Sequence, residues 1–296
     1  MQTREQDTAR STTGRSPQWA IDATAPAELY LELLKMVLTR SLLDVSFRPL
    51  PQPTKSLSRA GVALAKRAAA TLGLELVRRD PVDWALRAEG RDRPLDAETM
   101  VGLHRLDNVH DCIRRVLSDA IPGDLIETGA WRGGVTIFMR GALKAYQDSS
   151  RVVWVADSFR GLPRPDPKRF PHDAGDRHSQ QSGLVVPLEQ VRGNFARYGL
   201  LDERVRFLPG WFHDTLPSAP IQRLSILRLD GDMYGSTMVA LEALYPRLSP
   251  GGFVIVDDYG AVPGCKAAIS DFRERHGIDA PLLAIDWTGV YWRVPD

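Results

Sequence analysis

From residue 124 onward, short apolar runs alternate with longer amphipathic stretches. DLIET (124–128), RVVWVAD (151–157), RVRFL (204–208), LSILRLD (224–230) and GFVIVD (252–257) have the length and β-branched content of buried strands. Between them, residues 134–146, 188–198, 236–248 and 264–276 carry apolar positions at helical spacing. Strand alternating with helix predicts a doubly wound parallel α/β sheet. PLLAIDW and VYWRV, separated by Thr288–Gly289, predict a closing hairpin that sets one antiparallel strand into that sheet.

The first third of the chain has a different texture. A helix is expected from about residue 24, with Leu29, Leu33 and Val37 on one apolar row and Leu34 and Leu38 on a parallel one. RPLPQP (48–53) is a break, followed by a basic amphipathic helix over 56–76 with Leu57, Leu64, Ala68, Leu72 and Leu76 on one side. Residues 78–97 read as polar linker, and a helix over 97–119 points Leu106, Val109, Ile113, Val116 and Leu117 toward a core. The expected division is a disordered tail (1–23), an N-terminal helical extension with linker (24–97) and the main α/β domain (98–296).

Composition narrows the function classes. An apolar share of 43% supports a sizeable core, while 38 basic against 37 acidic residues give no bulk charge to draw nucleic acid or an anionic membrane. No apolar run approaches the ~20 residues of a membrane span. The polar N-terminus lacks the apolar stretch of a signal peptide. Cys112 and Cys265 lack metal spacing and suit reduced thiols in a cytoplasmic protein.

The candidate chemistry collects at strand ends. Asp230 and Asp232 follow the fourth strand and Asp257 and Asp258 the fifth. Ligands of open parallel sheets bind outside the carboxyl ends of the strands, so two adjacent strands would deliver carboxylates to one rim, where a hard divalent cation relieves their repulsion. Alternatively, Asp232 caps the following helix and Asp257–Asp258 open a loop. After the first strand, IETGAWRGG places Gly129 at a tight turn, but Ala130 and Trp131 replace the second glycine of a dinucleotide loop. Glu127 beside that turn suits a ligand bearing an ammonium or sulfonium, which points to S-adenosylmethionine rather than a pyrophosphate. Asp157, ending the second strand next to Ser158, is placed for a ribose diol or for capping a turn. Trp211 and Phe212 follow the third strand, where a purine would lie, although aromatics there also serve a core. His104 and His213 compete with Asp230 as proton acceptors, and the polar loop 164–183 could close over the site. The D-x-D of a nucleotide-sugar transferase is a rival reading of residues 230–232, disfavoured by Glu127. A non-catalytic binding protein is a further one, disfavoured by the acids at both strand ends.

Taken together, LDN (106–108), DLIETGAWRGG, WVADSFRGLP, VRFLPGWFHDTLP, LRLDGDMYGST, VDDYG and DWTGVYWR resemble the macrocin O-methyltransferase family over residues 83–293. Residues 46–80 exceed the shorter pattern expected there. The resemblance implies a class I methyltransferase (Rossmann-like) fold, S-adenosyl-L-methionine, Mg2+ and a homo-oligomer. It implies methylation of a sugar hydroxyl on a small glycosylated substrate of antibiotic biosynthesis; a catechol-type enzyme acting on phenols shares the fold, metal and cofactor. Carried over by motif, Thr99, Met100, Glu127, Gly129, Asp157, Ser158, Trp211 and Phe212 would bind the cofactor. Asp230, Asp257 and Asp258 would hold the metal, with Asp230 also the base.

Overall fold

The computed structural model describes residues 25–50, 56–92 and 94–295. The expected tail, residues 51–55 of the proline-rich break and the side chain of Leu57 lie outside what is described. The N-terminal elements are α1 (Pro26–Leu38), β1 (Val45–Pro49), α2 (Ser56–Thr71), β2 (Val77–Pro81), α3 (Trp84–Ala88) and α4 (Leu103–Ser118). There follow β3 (Asp124–Thr128), α5 (Gly134–Ala145), β4 (Val153–Asp157), α6 (Leu188–Arg197), β5 (Val205–Pro209), α7 (Phe212–Thr215) and β6 (Leu224–Leu229). The chain closes with α8 (Tyr234–Leu244), β7 (Leu248–Val256), α9 (Pro263–Arg275), β8 (Leu283–Ala284) and β9 (Val290–Arg293).

Seven strands form the central sheet in the order β5-β4-β3-β6-β7-β9-β8. Strand β9 runs antiparallel to both of its neighbours, β7 and β8, and every other pair in this sheet is parallel. The order reverses between β3 and β6, the switch point at which open α/β sheets bind ligands. Side-chain alternation along the strands divides the core. Leu125, Ile226, Phe253 and Ile255 face α1, α4 and α5. Ile126, Leu227, Leu229, Val254 and Val256 face α8 and α9.

The N-terminal third departs from the sequence reading in several places. In α1 the buried row is Leu31, Leu34 and Leu38, while Leu29 and Leu33 are 45% and 49% exposed. Leucines fill both flanks of this helix, so periodicity alone does not select a row. What selects it is Gly141 of α5, where an added Cβ would stand 2.6 Å from Leu34 Cδ2. Helix α2 ends at Thr71, short of 76, and its apolar row is not a core face: Leu64 and Leu72 are 70% and 75% exposed. The expected linker contains β2, paired antiparallel with β1, and α3. Helix α4 begins at Leu103, not residue 97, because Gly102 is pressed against the main chain of Ala88 and Gly90 and the preceding residues turn instead. The closing hairpin turns over 285–289: Ile285 N–H donates to the Gly289 carbonyl, and Asp286 Oδ1 accepts from the N–H groups of Thr288 and Gly289. No helix among the described residues is long and apolar enough to cross a membrane.

Candidate active site

The loop after β3 is shaped by two neighbours. Gly129 has φ +95°, and a Cβ there would fall 1.7 Å from the Asp230 carbonyl oxygen, so the ends of β3 and β6 meet only through glycine. Asp157 Oδ2 accepts from the N–H groups of Ala130 (2.8 Å) and Trp131 (3.2 Å), and Oδ1 from that of Phe159 (2.7 Å). Asp157 therefore organises the glycine loop from the end of β4. Burial raises its pKa, against the opposing pull of these donors. Thr99 lies beneath the N-terminus of α5, where a Cβ on Gly134 would meet its Cβ at 2.6 Å, and its Oγ1 accepts from Val101 N–H at 3.1 Å.

The acidic rim assembles as the strand ends suggest. Asp230, Asp257 and Asp258 offer oxygens within 4.8 Å of one another. Beneath them lies Arg228, a wholly buried guanidinium inside the apolar strand β6. Its Nη1 donates to Glu127 Oε1 and to Asp230 Oδ2 (2.7 Å), and its Nη2 to Asp257 Oδ1. Arg105 of α4 donates to Asp257 Oδ2 and, at 2.9 Å, to Asp286 Oδ2. Even so, the carboxylates of Glu127, Asp230, Asp232, Asp257, Asp258 and Asp286 outnumber these two cations. Among the described residues, Asp258 has no basic partner; it accepts from Asp232 N–H at 3.1 Å. Burial first, then Asp232, Asp230 and Asp257, push Asp258 well above the usual carboxylate range. Asp230 is raised by burial and by Asp257 against the pull of Arg228. Burial lifts Glu127 to about 7 despite Arg228, and its Oε2 is buried without a hydrogen-bond partner. An all-oxygen donor set short of positive charge fits a hard divalent cation.

A cavity of about 370 Å³ opens beside this rim. Met100, Gly129, Asp157, Ser158, Trp211, Phe212 and Asp230 line it, whereas the buried Thr99, Glu127, Asp257 and Asp258 are not among its lining residues. Of the rival bases, His213 lines the cavity while exposed, and His104 is exposed on α4 away from it. The loop after β4 supplies another wall through Arg164, Arg169, Phe170 and Asp173.

Asp173 and His178 escaped the sequence reading. Asp173, 3% exposed, accepts from the N–H groups of Tyr234 (2.7 Å) and Gly235 (2.9 Å), capping α8 from a distant loop. Helix α8 thus starts at Tyr234 with Met233 as its cap residue, and Asp232 does not cap it. Asp232 instead holds φ +55° at the rim, a conformation Asp tolerates better than most residues. His178 Nδ1 pairs with Asp176 at 2.6 Å, and its Nε2 stands 3.8 Å from Asp232. A polar, aperiodic loop gives no sequence signal for either residue; only the density of acids and histidines marks it.

Sheet order, the single antiparallel strand and a cavity at the β3/β6 switch define a class I methyltransferase fold. The macrocin-O-methyltransferase (TylF) family profile matches residues 27–294, so the chain belongs to this family and is an O-methyltransferase. It is 51% identical over 267 residues to the 8-demethyl-8-(2,3-dimethoxy-alpha-L-rhamnosyl)-tetracenomycin-C 4'-O-methyltransferase of Streptomyces olivaceus, covering 90% of this chain and 92% of that one. It is 52% identical over 210 residues to the mycinamicin III 3''-O-methyltransferase of Micromonospora griseorubida, covering 70% and 82%. The solved structure of the O-methyltransferase NovP superposes with a TM-score of 0.77 at 42% identity, covering 91% of this chain and 100% of that one.

Proposed function

We propose that this protein transfers a methyl group from S-adenosylmethionine to a hydroxyl of a deoxysugar on a glycosylated natural product, with magnesium as its metal. The observation that carries this reading is the cation-deficient triad Asp230, Asp257 and Asp258, adjoining a cavity that Asp230, Gly129 and Asp157 line together. Glu127, with one oxygen held by Arg228 and the other unpartnered, suits the ammonium of the methionine end. Asp157 and Ser158 suit the ribose, Trp211 and Phe212 the adenine, and the Thr99–Met100 segment closes the methionine side.

The triad would hold the magnesium, which when bound lowers the pKa of an acceptor hydroxyl. Asp230 is the triad member that lines the cavity, so it faces the acceptor and takes the hydroxyl proton. The surrounding residues fix the acceptor oxygen in line with the methyl carbon, at a near-attack distance of ~3–3.5 Å. The sugar acceptor is supported by relatives named for a rhamnosyl-tetracenomycin and for mycinamicin III. A homo-oligomer is supported by Leu29 and Leu33 of α1, Leu64 of α2 and Leu72 just after it, which are exposed among the described residues.

The test is product analysis. Methyl-labelled S-adenosylmethionine is offered with rhamnosylated polyketides, glycosylated macrolides and simple catechols. Mass spectrometry should place the label on the sugar fragment; transfer to phenols alone would overturn the sugar reading.

A further inference from the structure

Arg228 occupies the row of β6 that also carries Ile226, on the face turned toward α4 and α5. Register places it beside Glu127 of β3 and Ile255 of β7. One step nearer the rim, on the same face, alternation brings Asp230 and Asp257. A single planar guanidinium therefore divides its donors between the carboxylate behind the methionine end of the cavity and two carboxylates of the metal triad. Burying such a cation costs several kcal/mol unless its hydrogen bonds are well made. Here Nη1 and Nη2 are engaged while Nε has no partner, so the group is held by these carboxylates alone. The arrangement is also asymmetric: Arg105 reaches Asp257 and Asp286 but not Glu127.

Resting on the function proposed above, we infer that Arg228 is the positioning residue through which the cofactor site and the metal site share one geometry. Glu127 keeps its unpartnered oxygen in place only while Nη1 holds the other one. Asp230 and Asp257 keep their spacing only while Nη1 and Nη2 span them. A lysine retains the charge but offers one compact ammonium in place of a fork, and it cannot meet Glu127 and Asp257 together. An aspartate at 127 retains the negative charge but shortens the reach, which disturbs Arg228 without altering the charge near the triad.

The experiment measures S-adenosylhomocysteine and Mg2+ affinities by calorimetry in full-length wild type, R228K, R105K and E127D, each checked for folding by circular dichroism and melting temperature. The expected result for R228K is a loss of about tenfold or more in both affinities. R105K should weaken Mg2+ while leaving S-adenosylhomocysteine within about twofold of wild type. Should R228K fail to fold, E127D decides: it should weaken Mg2+ about fivefold although Glu127 is not in the metal triad. A folded R228K that binds both ligands as wild type does, or an E127D that loses only S-adenosylhomocysteine, overturns the inference. A wild type that binds neither ligand overturns the proposed function itself, which separates the two failures.

Discussion

Replacing Asp173 with alanine removes the two hydrogen bonds that fasten the loop after β4 to the first turn of α8. Losing a side-chain cap of this kind costs about 0.5–2 kcal/mol. Burial raises the pKa of Asp173 despite those donors, so part of the cap is already offset by desolvation, and the lower half of the range applies. About 1 kcal/mol changes the ratio of open to closed loop roughly fivefold. Further contacts keep the ends of the loop in place: Trp131 Nε1 donates to the Gly183 carbonyl at 2.8 Å, and Ser158 Oγ donates to that of Gly161. The effect should therefore be local. Limited trypsinolysis at Lys168, Arg169 and Arg177 reports the open population when closing is fast relative to cleavage. Asp173→Ala should be cut about five times faster, while Asp173→Asn, which keeps one acceptor oxygen, falls between it and wild type. Cleavage within twofold of wild type in the alanine variant would refute the capping role.

Asp230→Asn should abolish turnover while S-adenosylhomocysteine affinity changes little; undiminished methylation in this variant removes Asp230 as the base. The pH dependence of metal-free stability follows from Glu127. Its folded pKa of about 7 lies above the ordinary 4.5, so the folded state binds the proton more tightly and stability declines as pH rises from 4.5 to about 7. Melting temperatures in EDTA should fall across that window, and Mg2+ should raise them more at its upper end than at its lower; a flat profile contradicts the uncompensated cluster. The double variant Leu64→Glu/Leu72→Glu places charges at two exposed leucines, one in α2 and one just after it, and should yield a monomer by light scattering, whereas a mass equal to the wild-type assembly excludes that face from the contact.

The central sheet was legible because its inner strands β3, β4, β6 and β7 are short apolar runs separated by helix-length segments. The run predicted over residues 224–230 contains β6, which ends one residue earlier at Leu229. The N-terminal elements were not. VRRDP of β2 carries charges where a buried strand would alternate, and it pairs with β1 across a whole intervening helix. In α1 two leucine rows compete, and only the close approach to Gly141 chooses between them.

The acidic residues of the site were readable from their place after the strands, a local property. Their counter-charge was not. Arg228 sits where an apolar residue is expected, and Arg105 reaches Asp257 from α4, 152 residues away. The cap of α8 comes from a loop 61 residues distant, so the cap role left open for the nearby Asp232 is filled by a residue that local sequence does not point to.

Crystals grown with Mn2+ and S-adenosylhomocysteine would locate the metal by anomalous scattering. A single peak within bonding distance of Asp230, Asp257 and Asp258 is the expected result. A map without a peak at those carboxylates, in crystals that hold S-adenosylhomocysteine in the cavity, would contradict a metal-assisted transfer at this rim.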